Sequence, residues 1–153
     1  MKKIASFTVN HDKLEKGMYI SRTDGDAVTY DIRMKKPNGG DYLTDGTMHT
    51  LEHLLATYAR NSEYADSVIY AGPMGCRTGF YLILRDNVST ESAIELVRES
   101  FDYISGFSGE IPGSTKEECG NCLDHDLEGA RAVAEDMASV LKNWKKENTR
   151  YVE

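Results

Sequence analysis

Short strand-like runs, three longer stretches with apolar residues at three- and four-residue steps, and no strict strand–helix–strand succession together predict a two-layer α+β domain. Its expected form is a mostly antiparallel sheet packed against about three helices. With 153 residues, 40% of them hydrophobic and 28% charged, the chain is long enough for one domain spanning residues 1–153 and too apolar to stay disordered.

The clearest strand covers residues 28–34. Val28, Tyr30, Ile32 and Met34 alternate with Thr29, Asp31, Arg33 and Lys35, the period of a strand with one buried face. Lys36-Pro37-Asn38-Gly39-Gly40 ends it, since proline cannot donate to the ladder and Asn-Gly-Gly favours turns. After a loop, Asp45 or Thr47 caps a helix running to about Asn61, with Leu51, Leu54, Leu55 and Tyr58 as its apolar stripe. Residues 68–71 and 78–85 read as two further strands. They flank Gly72-Pro73-Met74-Gly75-Cys76, a glycine turn that sets Cys76 at a tight corner. Ser89 or Thr90 caps a second helix through about Ser105, with Ile94, Val97, Phe101 and Ile104 on one face. A last helix over about 126–146 buries Ala130, Val133, Ala134, Met137 and Leu141, and its late lysines suit a helix C-terminus. The tail Tyr151-Val152-Glu153 is expected to fray.

Charge and cysteine usage narrow the class. A net charge of -7 repels phosphate backbones and argues against nucleic acid as the main partner. No apolar run approaches the ~18 residues of a membrane span, and Lys2-Lys3 is not followed by the apolar core of a signal peptide. A cytoplasmic protein without a membrane partner is expected. Cys76, Cys119 and Cys122 make an odd count with no secreted disulfide framework, so reduced thiols are expected.

His49-Thr50-Leu51-Glu52-His53 carries the strongest chemical signal. On a helix, imidazoles four residues apart project from one face and can share a metal ion, with the Glu52 carboxylate beside them. Such a set supplies ligands for a borderline metal and a proton carrier next to whatever the metal polarises. A distant cysteine can close a three-ligand site, leaving the fourth position for water or substrate. The order HxxEH also reverses the HExxH zinc signature and so points to inverted-zincin peptidases, in which Glu52 would activate water. Paired histidines also arise by coincidence. Cys119-Gly-Asn-Cys122 lacks the second CxxC of a zinc knuckle and the preceding strand of a redox motif, and Cys122 reads as a small packing residue. Cys76 stands in its glycine turn beside Arg77, where positive charge and backbone N–H groups favour the thiolate, the form that acts as base or nucleophile.

Five ordered segments carry a further signal: Ser6-Phe7 with His11; Asp31-Ile32-Arg33; Met48 through Ala56; Pro73-Met74-Gly75-Cys76-Arg77-Thr78-Gly79-Phe80-Tyr81; and Glu118-Cys119-Gly120-Asn121. In these the chain resembles the S-ribosylhomocysteine lyases, the LuxS family that makes the precursor of autoinducer 2. The resemblance implies that His49, His53 and Cys119 bind one divalent metal, Fe2+ natively with Zn2+ or Co2+ able to substitute, and that Cys76 and Glu52 move protons. It also implies a homodimer with active sites at the interface, where Ser6, His11 and Arg33 help to hold substrate. Three positions depart from the common pattern: Tyr70 replaces a frequent aspartate, Asn10 an aspartate before His11, and Cys122 a frequent aromatic. Non-enzymatic metal storage, or an inactive partner protein, is the remaining alternative. An open fourth position and the presence of Cys76 argue against both.

Overall fold

The computed structural model describes residues 1–153. Strands β1 (Gly17–Asp24), β2 (Ala27–Arg33), β3 (Val68–Pro73) and β4 (Gly79–Arg85) form one antiparallel sheet in the order β1-β2-β4-β3. Helices α1 (Asp45–Arg60), α2 (Thr90–Ser105) and α3 (Leu127–Leu141) make the second layer. The two-layer α+β expectation is borne out. No helix is long and apolar enough to cross a membrane.

Strand β1 was not among the expected strands. Its apolar content is confined to Met18, Tyr19 and Ile20, and the rest is polar and exposed, so the alternation is too short to register. A two-residue loop begun by Gly25, at φ +60°, turns it directly into β2, and Asp24 pairs with Ala27. Asp24-Gly25 was the available signal.

Register follows from what the two faces can bury. On the helix side Met18, Tyr30, Ile32, Phe80, Leu82 and Leu84 meet Leu51, Leu54 and Leu55 of α1, Val97 and Phe101 of α2, and Met137 and Leu141 of α3, all fully buried. Each such side chain contributes about 1.5–3 kcal/mol. Sliding β2 by one residue would exchange Ile32 for Arg33 in that core, so the register is strongly specified. Asp31, Arg33 and Tyr81 consequently lie on the opposite face, with Asp31 paired to Tyr81 and Arg33 to Gly79. A Cβ at Gly79 would run into the Ile32 carbonyl oxygen, so close approach of β4 to β2 requires glycine there.

Helix boundaries differ from expectation in instructive ways. Thr44 caps α1, its hydroxyl accepting from Thr47 N–H at 3.3 Å, one residue before the expected Asp45. Ser89 caps α2 as expected. Asp126 caps α3 through Gly129 N–H at 2.9 Å, but that helix ends at Leu141 and not near 146. There the chain turns so that Trp144 reaches β1, where its indole N–H donates to the Met18 carbonyl at 2.8 Å. The late lysines therefore lie beyond the helix. Nor does the tail fray at Tyr151: its ring stacks on Tyr19 at 5.2 Å, and its hydroxyl donates to Asp31 Oδ2 at 2.6 Å.

Candidate metal centre and the cavity around Cys76

Helix α1 turns its leucines to the core and leaves His49, Glu52 and His53 half-buried on its flank. Each imidazole is oriented by a backbone carbonyl. His49 Nδ1–H donates to Asp124 O at 2.7 Å and His53 Nδ1–H to Pro112 O at 2.8 Å, both in the loop between α2 and α3. Those bonds fix the tautomer and leave each Nε2 as a bare lone pair. The two Nε2 atoms face one another at 3.1 Å, and Cys119 Sγ lies 3.4 Å from His49 Nε2.

Lone pairs held this close repel unless a cation gathers them. Bonds of about 2.0–2.1 Å to nitrogen and about 2.3 Å to sulfur at tetrahedral angles give edges of about 3.4 Å and about 3.6 Å. The observed spacings fall within a few tenths of an ångström of those edges, so the donor set fits a borderline divalent metal. His125 joins the cluster. Nitrogen and sulfur atoms of His49, His53, Cys119 and His125 all lie within 4.8 Å of one another. Burial first, then the neighbouring His49 and His53, push the His125 pKa below its ordinary value. Glu52 engages in none of the ion pairs of the fold.

A second group of residues meets on the outer face of the sheet. A cavity of about 330 Å³ is lined by Ser6, His11, Arg33, Cys76, Tyr81 and Tyr151, among others. Cys76 is exposed at the tip of the β3–β4 turn, which Met74 N–H closes onto Gly79 O at 2.9 Å. Arg33, 3% exposed, donates from Nε and Nη2 to the two oxygens of Asp31 at 3.1 and 2.7 Å, and from Nη1 to Thr78 Oγ1 at 2.8 Å. The same Nη1 faces Cys76 Sγ at 3.9 Å, and Thr78 Oγ1 lies 3.0 Å from that sulfur. Burial works against the Arg33 charge, but the hydrogen bonds and charge of Asp31 outweigh it and the pKa is raised. A permanent cation thus stands beside the sulfur. It is not the expected neighbour, because exposed Arg77, at φ +61°, lies over the Tyr42 ring at 5.8 Å.

The sequence-predicted residues therefore fall into two sets. His49, His53 and Cys119 come together, with Glu52 half-buried on the same helix but outside the cluster, while Ser6, His11, Arg33 and Cys76 share the cavity. None of the metal donors lines that cavity. Asp31, Tyr151 and His125 were not anticipated as parts of either set. Cys122 is half-buried and free.

Comparison with known proteins identifies the family. The family model described as S-Ribosylhomocysteinase (LuxS) matches residues 4–148. A Phocaeicola vulgatus protein named S-ribosylhomocysteine lyase is 45% identical, the match covering 99% of this chain and 98% of the relative. A Clostridium acetobutylicum protein of the same name is also 45% identical, with both chains covered completely. In Borreliella afzelii a third, likewise named, is 44% identical over 99% of each chain. Full-length similarity at this level, on a chain that gathers two histidines with one cysteine and sets a second cysteine beside a buried arginine, places this chain in the S-ribosylhomocysteinase (LuxS) family.

Proposed function

We propose that this chain is an S-ribosylhomocysteine lyase, a carbon–sulfur lyase that yields L-homocysteine and 4,5-dihydroxy-2,3-pentanedione, the autoinducer-2 precursor. The observation that carries the reading is the convergence of His53 Nε2 and Cys119 Sγ on His49 Nε2, at 3.1 and 3.4 Å, in a chain of this family. Those three residues hold one divalent metal, Fe2+ in the proposed native state, and Zn2+ or Co2+ satisfies the same donors. When bound, it supplies Lewis acidity to a sugar carbonyl.

The remaining chemistry belongs to side chains. Cys76, as thiolate, takes the proton from the carbon beside the carbonyl and returns it to the neighbouring carbon, so that the carbonyl migrates along the ribose. Arg33 and the Thr78 hydroxyl stabilise the sulfur anion between transfers. Once the carbonyl stands β to sulfur, removal of the intervening C–H proton expels homocysteine thiolate. Glu52, next in sequence to His53, carries protons between sugar oxygens and assists that elimination. Ser6, His11 and Arg33 hold the substrate from the cavity wall. No redox partner is needed, since each step moves only protons and electron pairs within the sugar.

The separation of the metal donors from the cavity supports a homodimer whose second copy joins the two halves, and three free cysteines fit a cytoplasmic location. An inverted-zincin peptidase leaves Cys76 and its buried cation without a task. The direct test is thiol titration on anaerobic protein loaded with iron or cobalt. One free thiol should appear per S-ribosylhomocysteine consumed, and no thiol release from the loaded protein would overturn the assignment.

A further inference from the structure

We propose that His125 is a positioning residue of the metal centre: it does not ligate, but lies flat on the ligand His49 and donates its Nε2–H to the Cys119 sulfur. This rests on the reading of His49, His53 and Cys119 as the ligand set.

Proximity alone would make His125 a fourth ligand, and two observations oppose that. The first is ring geometry. His125 stacks on His49 with centroids 4.0 Å apart and planes 19° from parallel, whereas His53 meets His49 edge-on, at 80°. An imidazole lone pair lies in the ring plane. An ion on the lone pair of His49 Nε2 stays near that ring's plane, and so lies well off the plane of a ring stacked upon it, where His125 has no lone pair to offer.

Thr50 supplies the second observation. It is fully buried, and its Oγ1 accepts the Asp126 backbone N–H at 3.0 Å. Its hydroxyl proton then needs an acceptor, because a buried donor left unpaired costs about 1–3 kcal/mol. His125 Nδ1, 3.0 Å away, is that acceptor. A neutral imidazole that accepts at Nδ1 carries its proton on Nε2. Nε2 lies 3.9 Å from Cys119 Sγ, so the N–H is directed to the thiolate. His125 is thus held from α1 by Thr50, and its neighbour Asp124 receives His49 Nδ1–H at its carbonyl. The arrangement orients two ligands, draws electron density from the sulfur and leaves the fourth position to substrate.

The test uses full-length protein loaded with cobalt(II) and followed optically, with metal content measured on the same samples. His125→Phe keeps a flat ring without the N–H, and His125→Gln places an amide N–H at similar reach. The expected result is one cobalt per chain in wild type and both variants, with four-coordinate d–d bands of unchanged intensity. The thiolate-to-cobalt charge-transfer band should move to longer wavelength in His125→Phe and return toward its wild-type position in His125→Gln. Loss of the d–d intensity, or a fall in cobalt affinity as large as that of His53→Ala, would make His125 a ligand and overturn the proposal. An unmoved charge-transfer band in His125→Phe would remove the N–H to sulfur bond. A wild-type protein without any thiolate-to-cobalt band would instead remove the ligand set itself, a failure readable before either variant is made.

Discussion

A guanidinium buried to 3% exposure is destabilising unless its protons are answered, and at Arg33 they are answered by Asp31 and Thr78. Replacing Asp31 with alanine strands that charge, and the expected loss is about 3–5 kcal/mol in urea unfolding. A loss below about 1 kcal/mol would mean that water, not Asp31, satisfies Arg33. Cys76, by contrast, is exposed and supports nothing in the core. Cys76→Ala should leave metal content and unfolding midpoint unchanged while thiol release becomes undetectable; loss of metal instead would make Cys76 a ligand. At this scale the sequence was informative wherever spacing along the chain brings residues together. His49 and His53 sit one helical turn apart, and Cys76 announces itself in a glycine turn. The cation beside Cys76 was misplaced onto Arg77 because adjacency in sequence is not adjacency across a sheet. His125 escaped notice for a similar reason: its partners Thr50 and His49 lie 75 or more residues away, and no local pattern encodes that meeting.

Elements with a full period were legible, and those held by a few specific contacts were not. All three helices follow from apolar steps of three and four, whereas β1 has too short an apolar alternation to register, and the C-terminal tail owes its place to partners distant in sequence. Tyr151 is the clearest case, since it anchors the tail by stacking on Tyr19 and bonding Asp31. Burial first, then the Asp31 charge and the hydrogen bond to it, raise the Tyr151 pKa. The folded chain therefore keeps that phenolic proton where the unfolded chain releases it. Stability from this group is complete below the unfolded value of about 10 and is lost as pH climbs from there toward the raised folded value. Tyr151→Phe should cost about 1.5–3 kcal/mol near neutrality, the range for a hydrogen bond to a charged group. Its stability should then fall less steeply than that of wild type between about pH 9 and about pH 11. Urea unfolding across that interval checks this, and parallel curves would disconnect Tyr151 from Asp31.

On the scale of the whole molecule, the decisive fact is that the His/Cys cluster and the Cys76 cavity, the two half-sites of the proposed function, belong to opposite layers. Metal donors come from α1 and the loop before α3, while Cys76 opens on the sheet face turned away from the helices. Alternation along β2 makes this unavoidable: Ile32 must enter the core, so Arg33 and Asp31 must leave it. A two-fold dimer repeats both half-sites and can bring each metal centre to the Cys76 cavity of the other copy. Mixed dimers test that arrangement directly. His53→Ala and Cys76→Ala proteins are each expected to be inactive alone. In a mixed dimer, intact donors on the Cys76→Ala subunit face intact Cys76 on the His53→Ala subunit, and one of the two sites is whole. Unfolding and refolding an equal mixture yields about half mixed dimers, so thiol release should recover to about one quarter of the wild-type rate. Sites complete within one subunit would give no recovery at any ratio, because every site would then lack either its metal or its base. Light scattering on the same mixture ties the recovery to the dimer, since protein that stays monomeric at micromolar concentration has no interface across which to share a site.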